Sequence, residues 1–292
     1  MVAIVTPLTP DGQLDLAAWD RLLGFHLSEG SDGIVVGGTT GESPALSYEE
    51  IEKLTELAVS RCQGRIRVLV GVGTNSTAAT VARTRTLSRL GVDGIMVVTP
   101  YYNKPPQEGL YRHFIAVADA SAVPVVLYNV PGRTAVDLLP ATVARLAAHP
   151  LIVAVKEATG SLVRGREMMA ACGPDLALLS GDDATAIALM GIGARGVISV
   201  TANVAPRRMH EACAAALLKD MATATGIDAT LQPLHRDLFV EASPIPVKWA
   251  VAQLGLIGPT LRLPLVDLTP AHYVTIRRAM QAAGIETKDQ AA

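Results

Sequence analysis

A (β/α)8 (TIM) barrel with a C-terminal α-helical extension is the fold class this sequence predicts, and three observations predict it. Short apolar runs, each closed by a turn signal, alternate with segments of helical periodicity, and eight such units fit before about residue 225. Strands that alternate with helices pair in parallel, and eight of them in this length suit a closed barrel. No G-x-G-x-x-G follows the first apolar run, which weighs against the open doubly wound sheet, the other arrangement of such elements.

The elements follow in order. Val2–Val5 is a first strand closed by Thr6-Pro7, and Asp11-Gly12 turns the chain. Leu14, Leu16, Trp19, Leu22, Leu23 and His26 recur at helical spacing until Gly30. Gly33–Val36 is the second strand, followed by the loop Gly37-Gly38-Thr39-Thr40-Gly41-Glu42-Ser43. Ser47 with Glu50 three residues on is a capping box that opens a helix to about Cys62. Ile66–Val70, Gly94–Val98 and Pro124–Tyr128 are the third, fourth and fifth strands, with helices near 78–87, 107–120 and 137–147 after them. The sixth strand, Ile152–Lys156, lies in an unbroken apolar run and so reads as buried on both faces. A helix near 161–171 leads to strand seven, Leu176–Leu179, then Ser180-Gly181-Asp182-Asp183, where an aspartate can cap the next helix. Gly196–Val200 is the eighth strand. From about Gly226 the pattern is helical, with helices near 243–254 and 270–283. The expected organisation is therefore a barrel over 1–225, carrying the active site, and a helical region over 226–292, with no linker between independent domains.

Composition narrows the function. The chain has 292 residues, is 50% hydrophobic and 18% charged, and carries a net charge of -2. No basic patch or charge block suggests nucleic acid, and no apolar run approaches the roughly 20 residues of a spanning helix. The first residues lack the features of a signal peptide, so a cytoplasmic protein is expected. Cys62, Cys172 and Cys213 are far apart and odd in number, which suits reduced thiols rather than a metal cluster.

In such a barrel chemistry sits on the loops after the strand C-termini, and the unusual residues gather there. Lys156 ends strand six. Desolvation there would lower its pKa and leave a neutral amine, a nucleophile for carbonyl carbon. The alternative is a lysine just past the strand that snorkels to solvent with Glu157 as partner; the strand alone does not decide. The chain holds only six lysines against nineteen arginines. Tyr128 ends the adjacent strand, and a phenol beside an amine can move protons, although a tyrosine is more often a packing residue. Tyr101 and Tyr102 follow strand four, and Arg133 follows strand five. The small residues around Thr39 and Thr40 permit close backbone approach to a carboxylate or phosphate, or simply a tight connection. Asp182 is as good a cap as a ligand. Glu42, Glu157 and Asp182 have no histidine beside them, so no metal is expected.

In order and spacing, Gly-Thr39-Thr40-Gly-Glu, Tyr101-Tyr-Asn-Lys-Pro-Pro, Tyr128-Asn-Val-Pro-Gly-Arg133-Thr, Lys156-Glu-Ala-Thr-Gly, Ser-Gly181-Asp-Asp, Gly196-Val-Ile-Ser-Val and Pro244-Ile-Pro-Val-Lys248 resemble the dihydrodipicolinate synthase / N-acetylneuraminate lyase family. The resemblance runs from residue 2 to about Leu265. It implies a class I aldolase mechanism with no cofactor beyond a covalent imine between Lys156 and pyruvate. It implies that Thr39 and Thr40 bind the pyruvate carboxylate, that Tyr128 is the general acid/base, and that Thr39 links it to Tyr102 of a neighbouring subunit. The carbonyls of Gly181 and Ile198 would line the pocket. Arg133 matches the synthase branch, where this position binds the carboxylate of aspartate semialdehyde, and a guanidinium suits that group bidentately. The implied reaction condenses pyruvate with L-aspartate 4-semialdehyde to 4-hydroxy-tetrahydrodipicolinate, the entry to diaminopimelate and lysine. The alternative is the same chemistry on another aldehyde or sugar acid, as in the neuraminate lyase branch. A homo-oligomer, a tetramer built from dimers, is implied by the need for a partner's Tyr102.

Three departures bear on these expectations. The first strand starts at Met1, which leaves open a trimmed N-terminus. Ser243 stands where the synthases often carry Asn. The positions that would hold a lysine effector are Tyr48, Ile51 and Ala79, without a carboxylate at 79, although Ser43, Asn75 and Tyr101 remain. Weak or absent inhibition by lysine is expected. Strand alternation also turns Glu157 away from Lys156, which removes it as a charge partner.

Overall fold

The computed structural model describes residues 1–287; residues 288–292, the end of the expected 226–292 region, lie outside the described residues. In chain order the elements are β1 (Val2–Ala3), α1 (Leu16–Ser28), β2 (Gly33–Val36), α2 (Tyr48–Cys62), β3 (Arg67–Gly71), α3 (Thr77–Leu87), β4 (Gly94–Val98), α4 (Gln107–Ala120), β5 (Val125–Asn129), α5 (Pro131–Thr134), α6 (Pro140–Leu146), β6 (Ile152–Glu157), α7 (Leu162–Cys172), β7 (Ala177–Ser180), α8 (Asp183–Gly191), β8 (Gly196–Val197), α9 (Pro206–Leu217), α10 (Met221–Asp237), α11 (Ile245–Gln253) and α12 (Tyr273–Ala282). The eight strands lie in one sheet in sequential order. Eight strands in chain order, each followed by at least one helix, are the (β/α)8 pattern, and α10 to α12 form the C-terminal extension.

The capping chemistry shows why the helices begin where they do. Ser47 accepts from the Glu50 N–H while the Glu50 carboxylate accepts from the Ser47 N–H, so the capping box is formed. Asp15, Ser76, Ser161, Asp182 and Asp220 cap α1, α3, α7, α8 and α10 in the same side-chain manner. Asp182 is thus a cap: its carboxylate accepts from both the N–H and the hydroxyl of Thr185. Gly30, at φ 76°, takes the left-handed conformation just after α1. The outer strands are shorter than their apolar runs. Beyond β1, Val5 N–H donates to the Asn203 side chain, and beyond β8 the chain enters a 3-10 turn at Thr201–Asn203.

The described residues fall into two compact units, residues 1–67 with 199–287 and residues 68–198. In the first, β1 pairs in parallel with β2, and Val2 bridges to Ser199. Val2, Val5, Ile34, Val35 and Val36 are fully buried there. α10 packs on α9 and on α12, while Trp249 of α11 stacks on Tyr273 of α12 with ring centroids 4.7 Å apart.

In the second unit β3 to β8 pair successively in parallel. The register slips between Val125 and Val126, which face Ile152 and Ala154, so Val153 is left without an opposite residue. It is the exposed member of β6, the exception to a strand expected to be buried on both faces. A bulge of this kind re-aims the residues that follow it. After the slip, Tyr128 stands opposite Lys156 and Asn129 opposite Glu157.

Candidate active site

Lys156 and Tyr128 meet because β5 and β6 are parallel neighbours in that register. The Lys156 ammonium lies 4.3 Å from the centroid of the Tyr128 ring. Lys156 is only 4% exposed and Tyr128 is buried, so the lysine does not snorkel. Burial lowers its pKa from 10.5 to about 8, and the Arg133 guanidinium pushes in the same direction while the Asp183 carboxylate opposes both. An amine with that pKa keeps roughly a tenth to a quarter of its population neutral near physiological pH, against about a thousandth or less for an exposed lysine.

The next pair along the strands faces the other way and fixes the backbone. Asn129 Nδ2 donates to Glu157 and to Asp137, each at 2.9 Å, and its Oδ1 accepts from the Leu138 N–H. Arg164 grips Asp137 through two N–H groups at 2.8 and 2.7 Å, which holds the Asp137 carboxyl below its usual range. Glu157 also accepts from the Thr159 N–H at 2.8 Å. Glu157 is therefore buried and engaged away from Lys156, as alternation requires. It is not a surface partner.

Gly181 has a steric reason to be glycine. A Cβ there would lie 2.6 Å from Ala158 Cβ and 3.0 Å from Lys156 Cε. Its N–H donates to the Glu157 carbonyl at 2.7 Å, which seats the β7 loop against the end of β6. Asp183, the first residue of α8, is buried and supplies the negative charge felt by Lys156. That role has no local signal in the chain, because Asp183 reads equally well as a helix-start residue. Ile198 is buried just beyond β8 and donates its N–H to the Ser180 carbonyl.

Arg133 lies on α5, a single turn started by Pro131, and is largely exposed. Tyr101 and Tyr102 follow β4. Tyr102 is held at φ 75° and its side chain projects outward, 88% exposed. Its backbone N–H donates to the Thr134 carbonyl, which ties this loop to α5.

In the other unit, the loop after β2 is closed by its own backbone. Gly41 and Ser43 donate to the Gly38 carbonyl, and Glu42 donates to the Thr39 carbonyl. Thr6 Oγ1 donates to the Gly41 carbonyl at 2.7 Å. Thr40 is buried and Thr39 half-buried. Among the described residues, the N–H groups of Thr39 and Thr40 donate to no carbonyl. Sequence reasoning missed what lies behind this loop: Glu42 forms a wholly buried ion pair with Lys248. Arg262 adds its N–H to Glu42 at 3.0 Å and clasps Glu50 with two bonds of 2.6 Å. A lysine in the apolar helix Ile245–Gln253 was the available signal.

Comparison with known proteins bears on all of these motifs together. The model of the dihydrodipicolinate synthetase family matches residues 1–283. The chain belongs to the dihydrodipicolinate synthetase family. It is 53% identical over 284 residues to a 4-hydroxy-tetrahydrodipicolinate synthase of Nitrosomonas eutropha, covering 97% of each chain. A protein of the same name from Nitrosospira multiformis is 52% identical, over 98% of this chain and 95% of its own. The crystal structure of the chloride-inhibited dihydrodipicolinate synthase of Acinetobacter baumannii, complexed with pyruvate, superposes with a TM-score of 0.96 at 46% identity, covering 98% of each chain. A dihydrodipicolinate synthase variant described as monomeric matches with a TM-score of 0.95 at 40% identity, over 98% of this chain and 96% of its own. The fold class is thus the (β/α)8 barrel of these family members with its helical extension. No described helix is long and apolar enough to cross a membrane.

Proposed function

We propose that this chain is a lyase that condenses pyruvate with L-aspartate 4-semialdehyde to 4-hydroxy-tetrahydrodipicolinate, the step that commits carbon to diaminopimelate and lysine. The observation that carries the mechanism is the Lys156 amine, dry, with its pKa lowered to about 8, and over the Tyr128 ring. The relatives' names supply the substrates. In this reading residues 1–225 carry the chemistry and 226–292 form the appended helices.

The Lys156 amine attacks the ketone carbon of pyruvate. The Tyr128 phenol donates a proton to the departing hydroxyl, and loss of water leaves the imine. A proton then leaves the methyl carbon, and the enamine attacks the aldehyde carbon of the semialdehyde to form the new C–C bond. The aldehyde oxygen takes up a proton. The amino group of the second substrate next attacks the imine carbon, closes the ring and releases Lys156. Every electron pair stays within the two substrates and the protein, so the chemistry calls for no resident cofactor.

The remaining assignments rest on the family motifs. Thr39 and Thr40 receive the pyruvate carboxylate, a role suited by their unengaged N–H groups. Arg133 receives the carboxylate of the semialdehyde, and its exposure suits a second substrate that arrives after the first. Gly181 and Ile198 line the pocket with backbone carbonyls. Tyr102 completes the proton relay of a neighbouring copy in a tetramer built from dimers; its outward ring on the single chain supports that role.

Borohydride trapping with pyruvate, read by mass spectrometry of peptides, tests the mechanism. The adduct is expected on Lys156; no adduct, or one on Lys104 or Lys248, overturns it. Steady-state rates with aspartate semialdehyde against sugar-acid aldehydes test the substrate, and a preference for the latter would place the chain in the lyase branch.

A further inference from the structure

The loop that carries Thr39 and Thr40 is not held by its own backbone alone. It leaves through Glu42, a non-glycine residue at φ 59°. The left-handed conformation is costly for such a residue and persists only where its surroundings enforce it. Here the enforcement comes from the far end of the sequence. The Glu42 and Lys248 side chains are both 0% exposed and ion-paired, and the second Glu42 oxygen accepts from the Arg262 N–H at 3.0 Å. Arg262 is itself fixed by Glu50 and by the carbonyls of Gly12 and Ala45. Lys248 lies on α11, whose residues Ile245 to Val251 are all buried, so its ammonium has no room to follow a displaced carboxylate. An apolar pair of similar volume would serve stability as well as a buried ion pair does. Charges kept in such a place point to a directional task. The direction follows from the hydrogen bonds: with Glu42 pinned, its N–H closes on the Thr39 carbonyl. That bond turns the Thr39 carbonyl into the loop and leaves the neighbouring N–H groups without internal acceptors.

We propose that Glu42, Lys248 and Arg262 are positioning residues that hold the Gly38–Gly41 loop in the conformation that receives the pyruvate carboxylate. The C-terminal extension thereby sets the affinity for the first substrate without touching it. This rests on the assignment of Thr39 and Thr40 given above.

The test uses the full-length enzyme with E42Q/K248M, which removes both charges at nearly constant volume, and with Glu42→Gln, which keeps one acceptor oxygen for Lys248 or Arg262 and sets an amide NH2 against the other. Losing the equivalent of one hydrogen bond to a charged carboxylate costs about tenfold or more in binding. The double variant should raise the KM for pyruvate about tenfold. Its KM for aspartate semialdehyde and its kcat should stay within about twofold of the parent. The single variant should shift the pyruvate KM in the same direction by less, and it decides the matter if the double variant does not fold. Saturating pyruvate should still give complete borohydride trapping on Lys156 in both. A pyruvate KM within about twofold of the parent in the folded variants overturns the proposal, as does a uniform loss across both substrates and kcat, which marks a merely structural role. Absence of an adduct in the parent enzyme would instead refute the Schiff-base reading, so the two failures are distinguishable.

Discussion

Replacing Lys156 with methionine should end the chemistry and make the folded protein more stable at neutral pH. In the folded chain burial brings the Lys156 pKa to about 8, against 10.5 for the exposed amine. A lowering of that size corresponds to about 3 kcal/mol. The sign follows from proton counts. Between pH 8 and 10.5 the unfolded chain holds the proton and the folded chain has lost it, so stability rises with pH across that window. Below pH 8 both states are charged and the folded state bears the whole cost of the buried ammonium. The Tyr128 ring face returns about 1–2 kcal/mol of that cost by cation–π attraction. Lys156→Met should therefore gain on the order of 1–2 kcal/mol at pH 7. The gain should shrink as the pH rises from 8 through 10.5 and vanish above that range, where the parent amine is neutral in both states. Urea unfolding followed by circular dichroism at pH 7 and pH 10, at one protein concentration because an oligomer's stability depends on it, measures the difference. A variant no more stable than the parent at pH 7, or a gap as large at pH 10 as at pH 7, would refute the claim that this lysine is held dry.

The same charges set the pH profile of imine formation. It should rise with an apparent pKa near 8. Asp183→Asn should move that profile to lower pH, because the carboxylate that favours the ammonium is gone; a shift upward would be fatal to the assignment. Arg133→Ala should act in the opposite sense on the profile, since the guanidinium disfavours the ammonium. It should also raise the KM for aspartate semialdehyde on the order of 10- to 100-fold, the worth of a charged hydrogen bond, while pyruvate KM is little changed. Tyr128→Phe keeps the ring under Lys156 and removes only the hydroxyl. It should lower kcat by about 10²–10⁴ with a normal thermal melt, and near-parental turnover would exclude Tyr128 as the proton donor. Ala79 is an exposed, uncharged residue at the start of α3, so L-lysine should leave the steady-state rate unchanged; strong inhibition would show that its ammonium finds another partner.

Much of the fold was legible because the signals are local. Eight apolar runs and the helices between them follow from periodicity and from caps such as Ser47 and Asp182. The boundaries failed where tertiary partners replaced sheet partners, as at Val5, whose N–H goes to Asn203 instead of continuing a strand. The slip that exposes Val153 was equally invisible, since it is a property of the β5–β6 pair and not of either strand.

By itself the sequence determined the succession of strands and helices, the placing of Lys156 and Tyr128 at strand ends and of Thr39 and Arg133 in the loops after them, and the family motifs that relate them. Only the tertiary structure decided that Lys156 is dry rather than snorkelling, that Asp183 and Arg133 pull its pKa in opposite directions, and that Glu157 is engaged with Asn129. It alone joined Glu42 to Lys248 and Arg262, more than two hundred residues away along the chain. The physical reason is the same in each case. Periodicity and capping act over a few residues and are written in order, whereas desolvation and charge coupling depend on whatever the folded chain brings within a few ångströms.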